Sequence, residues 1–254
     1  MTARHAAVDT TAVDTAAVDT AAVDAAAAIA ADRVLYRRAG RLILDEVSVA
    51  VGYGEVLAIT GPSGSGKSSL LALLAGLEEP DGGTVTRTLP PAGVVPAGAG
   101  RDRARRPSAG SVPPDYGLVL QGYGLVSVLT AAENVEIALQ GRGLDRAEIR
   151  DRAEDALAEV GLDEVADHLV EQLSGGQQQR VAIARALVPH PRVLLADELT
   201  AELDRVSRGR VLDRVFGLAA TGSAVVLCTH DPELAAGCTR QIRLTNGVIT
   251  ERRD

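Results

Sequence analysis

Residues 56–69 have the sequence Val56-Leu57-Ala58-Ile59-Thr60-Gly61-Pro62-Ser63-Gly64-Ser65-Gly66-Lys67-Ser68-Ser69. The first five residues are an apolar run that is typical of a buried strand, and residues 70–76 continue as an apolar helix. The loop between them matches G-x-x-x-x-G-K-[ST], a pattern that binds phosphate when a strand precedes it and a helix follows it. We therefore predict a phosphate-binding loop (P-loop) from residue 61 to residue 69.

The residue types of this loop suit a phosphate ligand. Its glycines allow the backbone to wrap closely around phosphate oxygens, and the N–H groups at the start of the helix present a positive dipole to them. Lys67 adds a positive charge for the β- and γ-phosphates, and the Ser68 hydroxyl can ligate Mg²⁺. The chain has 26 basic residues, and Lys67 is the one lysine among them. An arginine, which is planar and forked, cannot replace a compact ammonium group in such a loop.

A second site is predicted at the end of another apolar run, residues 193–196, which is followed by Asp197 and Glu198. A carboxylate at the carboxyl end of a core strand, beside a P-loop, can hold Mg²⁺ through water. We expect Asp197 to have this role and Glu198 to polarise an attacking water molecule. A P-loop alone does not separate kinases, GTPases and transport motors, and this second site narrows the choice.

The remaining pattern predicts an α/β fold with a mostly parallel sheet, because apolar strands alternate with helices along the chain. Two strands flank Asn246-Gly247, which is a strong signal for a β-hairpin. The other predicted elements are strands at 42–44, 47–51 and 225–228, a strand that ends at 119–120, and helices within 130–170 and at 178–187.

A third motif lies at the start of the helix predicted at 178–187, where two glycines leave backbone N–H groups open to an anion. Its residues are Leu173, Ser174, Gly175, Gly176 and Gln177. Together with residues 178–187, the motif resembles the signature segment of ATP-binding cassette (ABC) ATPases, and it lies between the P-loop and the Asp-Glu strand in that family's order. The resemblance covers residues 32–250. Residues 129–135 are similar to the subgroup that serves lipoprotein-release and macrolide-efflux permeases.

The resemblance implies roles for four further residues. Gln121 resembles the Q-loop glutamine, which senses Mg²⁺ and water and contacts the membrane subunit, although Leu120 stands where the family usually has an aromatic residue. Asp204 resembles the D-loop residue at the dimer interface. His230 resembles the switch histidine that contacts the γ-phosphate, and Tyr36 resembles the aromatic residue that stacks on adenine.

The implied fold is a P-loop NTPase core with a mostly parallel sheet, an antiparallel β subdomain and a helical signature-motif subdomain at about residues 125–185, all within an ATP-binding domain of residues 32–254. The implied mechanism is a head-to-tail homodimer that holds two Mg-ATP molecules, each on one chain's P-loop and capped by Ser174 and Gly176 of the other chain. Glu198 orients or deprotonates water in each site. The γ-phosphate is held by Lys67 and His230, and Mg²⁺ by Ser68, Gln121 and Asp197.

The sequence has no stretch of about 18 uncharged apolar residues, so it predicts no membrane span in this chain. A transport ATPase of this kind would act with separate permease subunits, as a peripheral protein on the cytoplasmic face of the membrane. The net charge of −8 argues against non-specific nucleic-acid binding. A cytosolic ABC ATPase without a transport role is the alternative. The intact motifs argue against a regulatory subunit that binds ATP without hydrolysing it. The motifs encode neither the cargo nor the direction of transport.

Three segments depart from the family pattern or lie outside it. Residues 1–31 contain an Ala-Val-Asp-Thr repeat with a period of five residues, whose valines share no face of a helix or strand, so we expect a disordered tail. Residues 90–114 are rich in Pro, Gly and Arg, where relatives have regular structure that leads into the Q-loop strand. Leu199 follows Glu198 where the family usually has proline, which removes a fixed φ angle but no reacting group.

Overall fold

The computed structural model describes residues 27–88, 112–113 and 115–253. Nine strands form two sheets in this part of the chain. The strands are β1 (Ala27–Arg38), β2 (Arg41–Gly52), β3 (Val56–Thr60), β4 (Gly82–Arg87), β5 (Tyr116–Val119), β6 (Val193–Asp197), β7 (Ala224–Cys228), β8 (Arg240–Thr245) and β9 (Val248–Arg253). The helices are α1 (Lys67–Ala75), α2 (Ala131–Glu136), α3 (Arg146–Glu159), α4 (Gly175–Leu187), α5 (Arg205–Ala220) and α6 (Pro232–Ala236), with short 3-10 helices at Ile137–Leu139, Asp163–Val165 and Val170–Gln172.

The larger sheet carries the P-loop. Its six strands have the order β5-β6-β7-β3-β8-β9, and all neighbours are parallel except β8 and β9. The central strands β3, β6 and β7 consist of buried, mainly aliphatic residues, as expected for strands that are covered on both faces. Because parallel strands end at one edge of the sheet, the loops with Gly61, Glu198 and His230 start close together. The predicted α/β core is confirmed.

The smaller sheet is antiparallel and has the order β2-β1-β4. Its central strand begins at Ala27, ahead of the domain boundary that the sequence predicts at residue 32. The predicted tail of residues 1–31 therefore needs correction at its end, because residues 27–31 are buried between β2 and β4. These alanines and Ile29 lie beyond the charged repeat, so their uncharged side chains can be buried on the faces of the sheet. Residues 1–26 lie outside the described residues.

Strand β2 is longer than predicted. The segments 42–44 and 47–51 form one strand that pairs with β1. The exposed residues Asp45 and Glu46 interrupt the apolar pattern, and Glu46 has a left-handed φ of 47°. The polar pair therefore marks an irregularity within the strand and not its end. Of the predicted Pro/Gly/Arg-rich loop, residues 90–111 and 114 lie outside the described residues.

Helices α2, α3 and α4 pack against one another, and α4 also contacts β5. Their buried side chains, which include Val135, Leu157 and Ile183, join one hydrophobic cluster with Leu194 of β6. This helical unit corresponds to the subdomain predicted at about residues 125–185. None of the described helices has the length and apolar character needed to span a membrane.

Gly117 in β5 provides a test of this packing. A Cβ at this position would lie 2.5 Å from the Ala186 carbonyl oxygen and 2.9 Å from Pro191 Cγ. We expect Gly117→Ala to lower the free energy of unfolding by about 1–3 kcal/mol, the usual effect of overpacking, in urea denaturation. Gly217→Ala is the control, because this exposed position of α5 has no described atom within 4 Å of an added Cβ. Alanine there should raise the free energy by about 0.5–1 kcal/mol, and equal effects of the two changes would contradict the packing.

Candidate functional site

The P-loop is held in place by close backbone packing. Gly61 has a φ of 143°, and a Cβ on it would overlap the Leu244 carbonyl oxygen, so only glycine fits. The Ser65 N–H donates to the Pro62 carbonyl over 3.2 Å, and the Ser65 carbonyl accepts from the Gly247 N–H over 3.1 Å. The loop is therefore anchored to the hairpin of β8 and β9.

The loop leads into the N-terminus of α1, which begins at Lys67. Gly66, the N-cap residue, has a φ of 106° and contributes no side-chain hydrogen bond, and the first turn contains no acidic residue. The first N–H groups of a helix lack intrahelical acceptors, so they are available to an anion that the helix dipole also attracts. The buried Lys67 donates from Nζ to the carbonyls of Gly61 (2.9 Å) and Pro62 (3.2 Å), which places its charge within the loop.

Asp197 and Ser68 form the candidate metal site. Asp197 is the buried last residue of β6, and its carboxylate accepts a hydrogen bond from the Ser68 hydroxyl. Burial raises the pKa of Asp197, and the hydrogen bond partly offsets this effect. A carboxylate and a hydroxyl are hard oxygen donors that fit Mg²⁺, which usually binds through one or two carboxylates together with substrate phosphates. Gln121, the third predicted magnesium ligand, lines the same cleft.

Glu198 follows β6 directly and has an unusual backbone. Its φ of 52° is in the left-handed region that residues other than glycine rarely adopt. Its N–H donates to the Cys228 carbonyl over 2.9 Å, which extends the β6–β7 pairing past the strand end. Its Oε2 lies 2.8 Å from His230 Nδ1. This hydrogen bond and the negative charge of Glu198 raise the pKa of His230, whose side chain is 73% exposed.

One cleft of about 830 Å³ brings most of the predicted site residues together. This volume is in the range typical of small-molecule sites. The predicted residues that line it are Gly61, Pro62, Ser63, Gly64, Gly66, Lys67, Ser68, Ser69, Gln121, Asp197, Glu198 and His230. Ser65 does not line the cleft; its hydroxyl is buried and makes no hydrogen bond within the described part of the chain.

Tyr36 does not line this cleft, so its predicted role as the adenine platform needs correction. It is only 6% exposed, and it packs in a hydrophobic cluster with residues of β2, β3 and α1. Burial and a hydrogen bond to Glu78 raise the pKa of its hydroxyl. Successive strand residues face opposite sides of a sheet, and Tyr36 faces the buried side. Arg38 and Ile43 line the cleft from β1 and β2.

The signature motif forms the N-terminus of α4. Ser174 is the N-cap: its hydroxyl accepts from the Gln177 N–H over 3.3 Å, and the Gln177 side chain accepts from the Ser174 N–H over 2.8 Å. Ser174 and Gly175 are exposed, and residues 173–177 are not among those that line the cleft. A Cβ on Gly176 would lie 2.6 Å from the Glu202 carbonyl oxygen, which favours glycine there. The motif therefore lies outside the cleft that contains its own chain's P-loop.

Asp204, the predicted D-loop residue, is the N-cap of α5. Its Oδ1 accepts from the N–H groups of Val206 and Ser207 over 2.9 and 3.0 Å, and the Ser207 hydroxyl donates to its Oδ2. These hydrogen bonds lower the pKa of Asp204. Asp204 is outside the cleft, whereas Glu202 lines it, so the role of Asp204 at a dimer interface stays a prediction.

Several residues in or next to the cleft were not predicted from the sequence, among them Tyr123, Glu202 and Arg185. Tyr123 lines the cleft, and its hydroxyl donates to Glu202. Burial is the main cause and the contact with Glu202 the second cause that raise the pKa of Tyr123 to about 12. Arg185 of α4 donates to the carbonyls of Tyr123 and Gly124, at 2.7 Å each, and thereby anchors the segment after Gln121. The position of Tyr123 close after Gln121, in a chain with four tyrosines, was the available signal. No local pattern marks Arg185 or Glu202.

A parallel sheet that brings a P-loop, an Asp-Glu pair and a histidine to one edge defines a P-loop NTPase. The sequence profile of one family, described as ABC transporter, matches residues 44–201. This match covers more than half of the chain, which therefore belongs to the ABC transporter family.

Its relatives are ATP-binding proteins of transporters. The uncharacterised ABC transporter ATP-binding protein YbbA of Escherichia coli K12 is 42% identical over 211 residues, which are 82% of this chain and 89% of YbbA. The lipoprotein-releasing system ATP-binding protein LolD of Chromohalobacter salexigens is 40% identical over 213 residues, with 82% and 85% covered. The macrolide export ATP-binding/permease protein MacB 1/2 of Paracoccus denitrificans is 41% identical over 212 residues, which are 83% of this chain but 30% of that longer protein.

A solved structure has the same fold. The ATP-binding cassette MJ0796, a dimer in a post-hydrolysis state with bound ADP and phosphate, superimposes with a TM-score of 0.74 at 32% identity. The superposition covers 89% of this chain and 98% of that one. The predicted ABC cassette fold, with a mixed main sheet, a separate antiparallel sheet and helices, is confirmed.

The contact between His230 and Glu198 can be tested by NMR titration. Hydrogen bonding to Glu198 raises the pKa of His230, whereas burial lowers that of His190. We therefore expect His230 to stay protonated above the ordinary midpoint of about 6.5, and His190 to lose its proton below it. Glu198→Gln removes the negative charge, so it should bring the pKa of His230 down and leave that of His190 unchanged. An unchanged His230 pKa in this variant would contradict the contact.

Proposed function

We propose that this chain is the ATP-hydrolysing subunit of an ABC transporter and that it acts as a homodimer with separate membrane permease subunits. The observation that carries the proposal is that Lys67, Ser68, Asp197, Glu198 and His230 line one cleft. Together these residues provide a phosphate-binding loop, oxygen ligands for a metal ion and a candidate general base.

ATP is the proposed substrate. Its phosphates bind to the backbone N–H groups of the P-loop and of the first turn of α1, and Lys67 contacts the β- and γ-phosphates. Ser68, Asp197 and Gln121 are the residues that would hold Mg²⁺. When bound, this ion supplies positive charge that offsets the charge on the phosphates.

Glu198 is the proposed general base. Its carboxylate orients the attacking water and accepts its proton as the water oxygen bonds to the γ-phosphorus and the bond to the β-phosphate oxygen breaks. His230, which lies 2.8 Å from this carboxylate, contacts the γ-phosphate. The raised pKa of His230 favours its charged form, which stabilises the negative charge of the phosphate.

A second copy of the chain completes each site in this proposal. Ser174 and Gly176 do not line the cleft of their own chain, and the exposed N-terminus of α4 is free to contact a nucleotide on a partner. The structural neighbour MJ0796 is described as a dimer with ADP and phosphate, which supports a dimeric arrangement. ATP bound between two copies would favour the closed dimer, and hydrolysis would release it.

The permease is proposed to bind next to the Q-loop. Three apolar side chains there are exposed, namely Val126, Val128 and Ile137, of which Val128 is 77% exposed. Exposed apolar side chains in a group are typical of protein interfaces. The relatives LolD and MacB are named for lipoprotein release and macrolide export, which supports the predicted subgroup. Binding to a permease would place the chain on the cytoplasmic face of a membrane.

Glu198→Gln is the direct test of the proposed chemistry. The variant keeps the P-loop but lacks the base, so we expect kcat for ATP hydrolysis to fall by about 10²–10⁴-fold while ATP binding persists. Because the nucleotide is no longer consumed, size-exclusion chromatography with Mg-ATP should show an accumulated dimer. Lys67→Ala is the control for binding and should lose affinity for ATP itself. Near-normal hydrolysis by Glu198→Gln would refute the assignment.

Val128→Asp tests the permease contact. A charge at this exposed position should weaken co-purification with a polytopic membrane protein, while the free energy of unfolding and the ATPase activity of the soluble protein stay unchanged. Val248→Asp, at an exposed apolar position of β9, should retain the membrane protein and serves as the matched control. Recovery of the wild type in a purely soluble assembly would instead favour the cytosolic ATPase without a transport role.

A further inference from the structure

Gln179 is a buried polar residue of α4 that the mechanism above does not use. Its side chain is 3% exposed. Its Nε2 donates to the Glu198 carbonyl over 2.9 Å, and its Oε1 accepts from the Glu202 N–H over 3.1 Å. Both ends of this carboxamide are therefore bonded to the backbone of the segment that follows β6.

Glu198 requires this kind of support. A non-glycine residue keeps a left-handed conformation only when its surroundings hold it. The peptide group before Glu198 is held by β7, because the Glu198 N–H donates to the Cys228 carbonyl. The peptide group after it is held by Gln179. Together with the Ala201 N–H, which also donates to the Glu198 carbonyl over 3.3 Å, these hydrogen bonds hold the backbone on both sides of the Glu198 Cα and set the direction of its Cα–Cβ bond.

The same residue connects Glu198 to the signature helix. Gln177, Gln178, Arg180 and Arg185 form their side-chain hydrogen bonds to other segments. Within the described part of the chain, Gln179 is the residue of α4 whose side chain forms hydrogen bonds to residues 198–202.

We propose that Gln179 is a positioning residue that holds Glu198 in its active conformation and couples it to the signature helix. The inference rests on the proposed function, in which the N-terminus of α4 contacts the partner's nucleotide while Glu198 acts on its own chain's nucleotide. A displacement of α4 at one site of the dimer therefore changes the position of the general base at the other.

Gln179→Met is the first test. Methionine has a similar length but neither donates nor accepts these hydrogen bonds, so the Glu198 carbonyl loses its shorter hydrogen bond and keeps the one from the Ala201 N–H, at 3.3 Å. We expect kcat for ATP hydrolysis to fall by on the order of 10- to 100-fold, with little change in KM, because the P-loop is intact. The pKa of His230, followed by NMR, should fall as the Glu198 carboxylate moves away from it.

Gln179→Glu separates positioning from simple space filling. The ionised carboxylate still accepts from the Glu202 N–H but cannot donate to the Glu198 carbonyl, whereas the protonated form can do both. Burial raises the pKa of such a carboxyl above its ordinary value of about 4.3, so the ratio of variant to wild-type kcat should rise as the pH falls from about 8 to about 6. The titratable groups that line the same cleft are present in both proteins, so their own pH effects appear in both kcat values: Lys67, Tyr123, Asp197, Glu198, Glu202 and His230.

Ser223→Ala is the matched control. The buried Ser223 hydroxyl donates to the Pro191 carbonyl over 2.8 Å, away from the cleft. Its loss removes a buried hydrogen bond, so it should lower the Tm. The variant should keep wild-type kcat, and its ratio to the wild type should not depend on pH.

The outcomes are distinguishable. Wild-type kcat in Gln179→Met, an equal loss in Ser223→Ala, or a ratio for Gln179→Glu that is independent of pH would each overturn the positioning role. If Gln179→Met does not fold, the pH dependence of the kcat ratio for Gln179→Glu decides.

Glu198→Gln, assayed in parallel, separates the two proposals. If Glu198→Gln hydrolyses ATP normally, the proposed function fails. If Glu198→Gln is inactive and Gln179→Met is fully active, the Gln179 inference alone is overturned.

Discussion

The site depends on the parallel register of β7 with its two neighbours at Cys228. This residue lies opposite Ile59 of β3 on one side and opposite Asp197 of β6 on the other. The backbone hydrogen bonds continue past the strand ends, because Cys228 accepts from the Glu198 N–H and the Thr229 N–H donates to Ile59. The P-loop, the acidic pair and the histidine loop consequently leave the sheet at one level. A shift in this register would separate groups that have to act on one phosphate.

Helix α4 contacts three parts of the molecule that the proposed transport function uses. Its N-terminus carries the exposed signature residues, and its middle holds the backbone of Glu198 through Gln179. Near its end, Arg185 binds the carbonyls of Tyr123 and Gly124, where the chain leads from the Q-loop towards the exposed Val126. The same helix therefore contacts both the segment next to the proposed permease surface and the backbone of Glu198, the proposed general base.

The local motifs and the α/β class could be predicted from the sequence, because a P-loop and strand-end acids carry their chemistry within a few residues. Tyr36 could not be placed, because its orientation depends on how β1 pairs with β2. The register of this pair shifts on both sides of Tyr36, and no short pattern encodes such shifts. The role of Gln179 was hidden for a related reason: the sequence places it on a helix, but its partners are set by the packing of α4 against the segment after β6.

The charge of the cleft imposes a further condition on ATP binding. Asp197, Glu198 and Glu202 line it together with the cations Arg38 and Lys67, and the sequence as a whole has a net charge of −8. The attraction for an anionic nucleotide must therefore come from groups in direct contact with it, which are the N–H groups of α1, Lys67 and the metal ion. Burial disfavours the charged form of Asp197, and a bound metal ion would offset this penalty. In the proposed site the ion also offsets the charge of the phosphates, so metal and nucleotide would each favour binding of the other by the same factor.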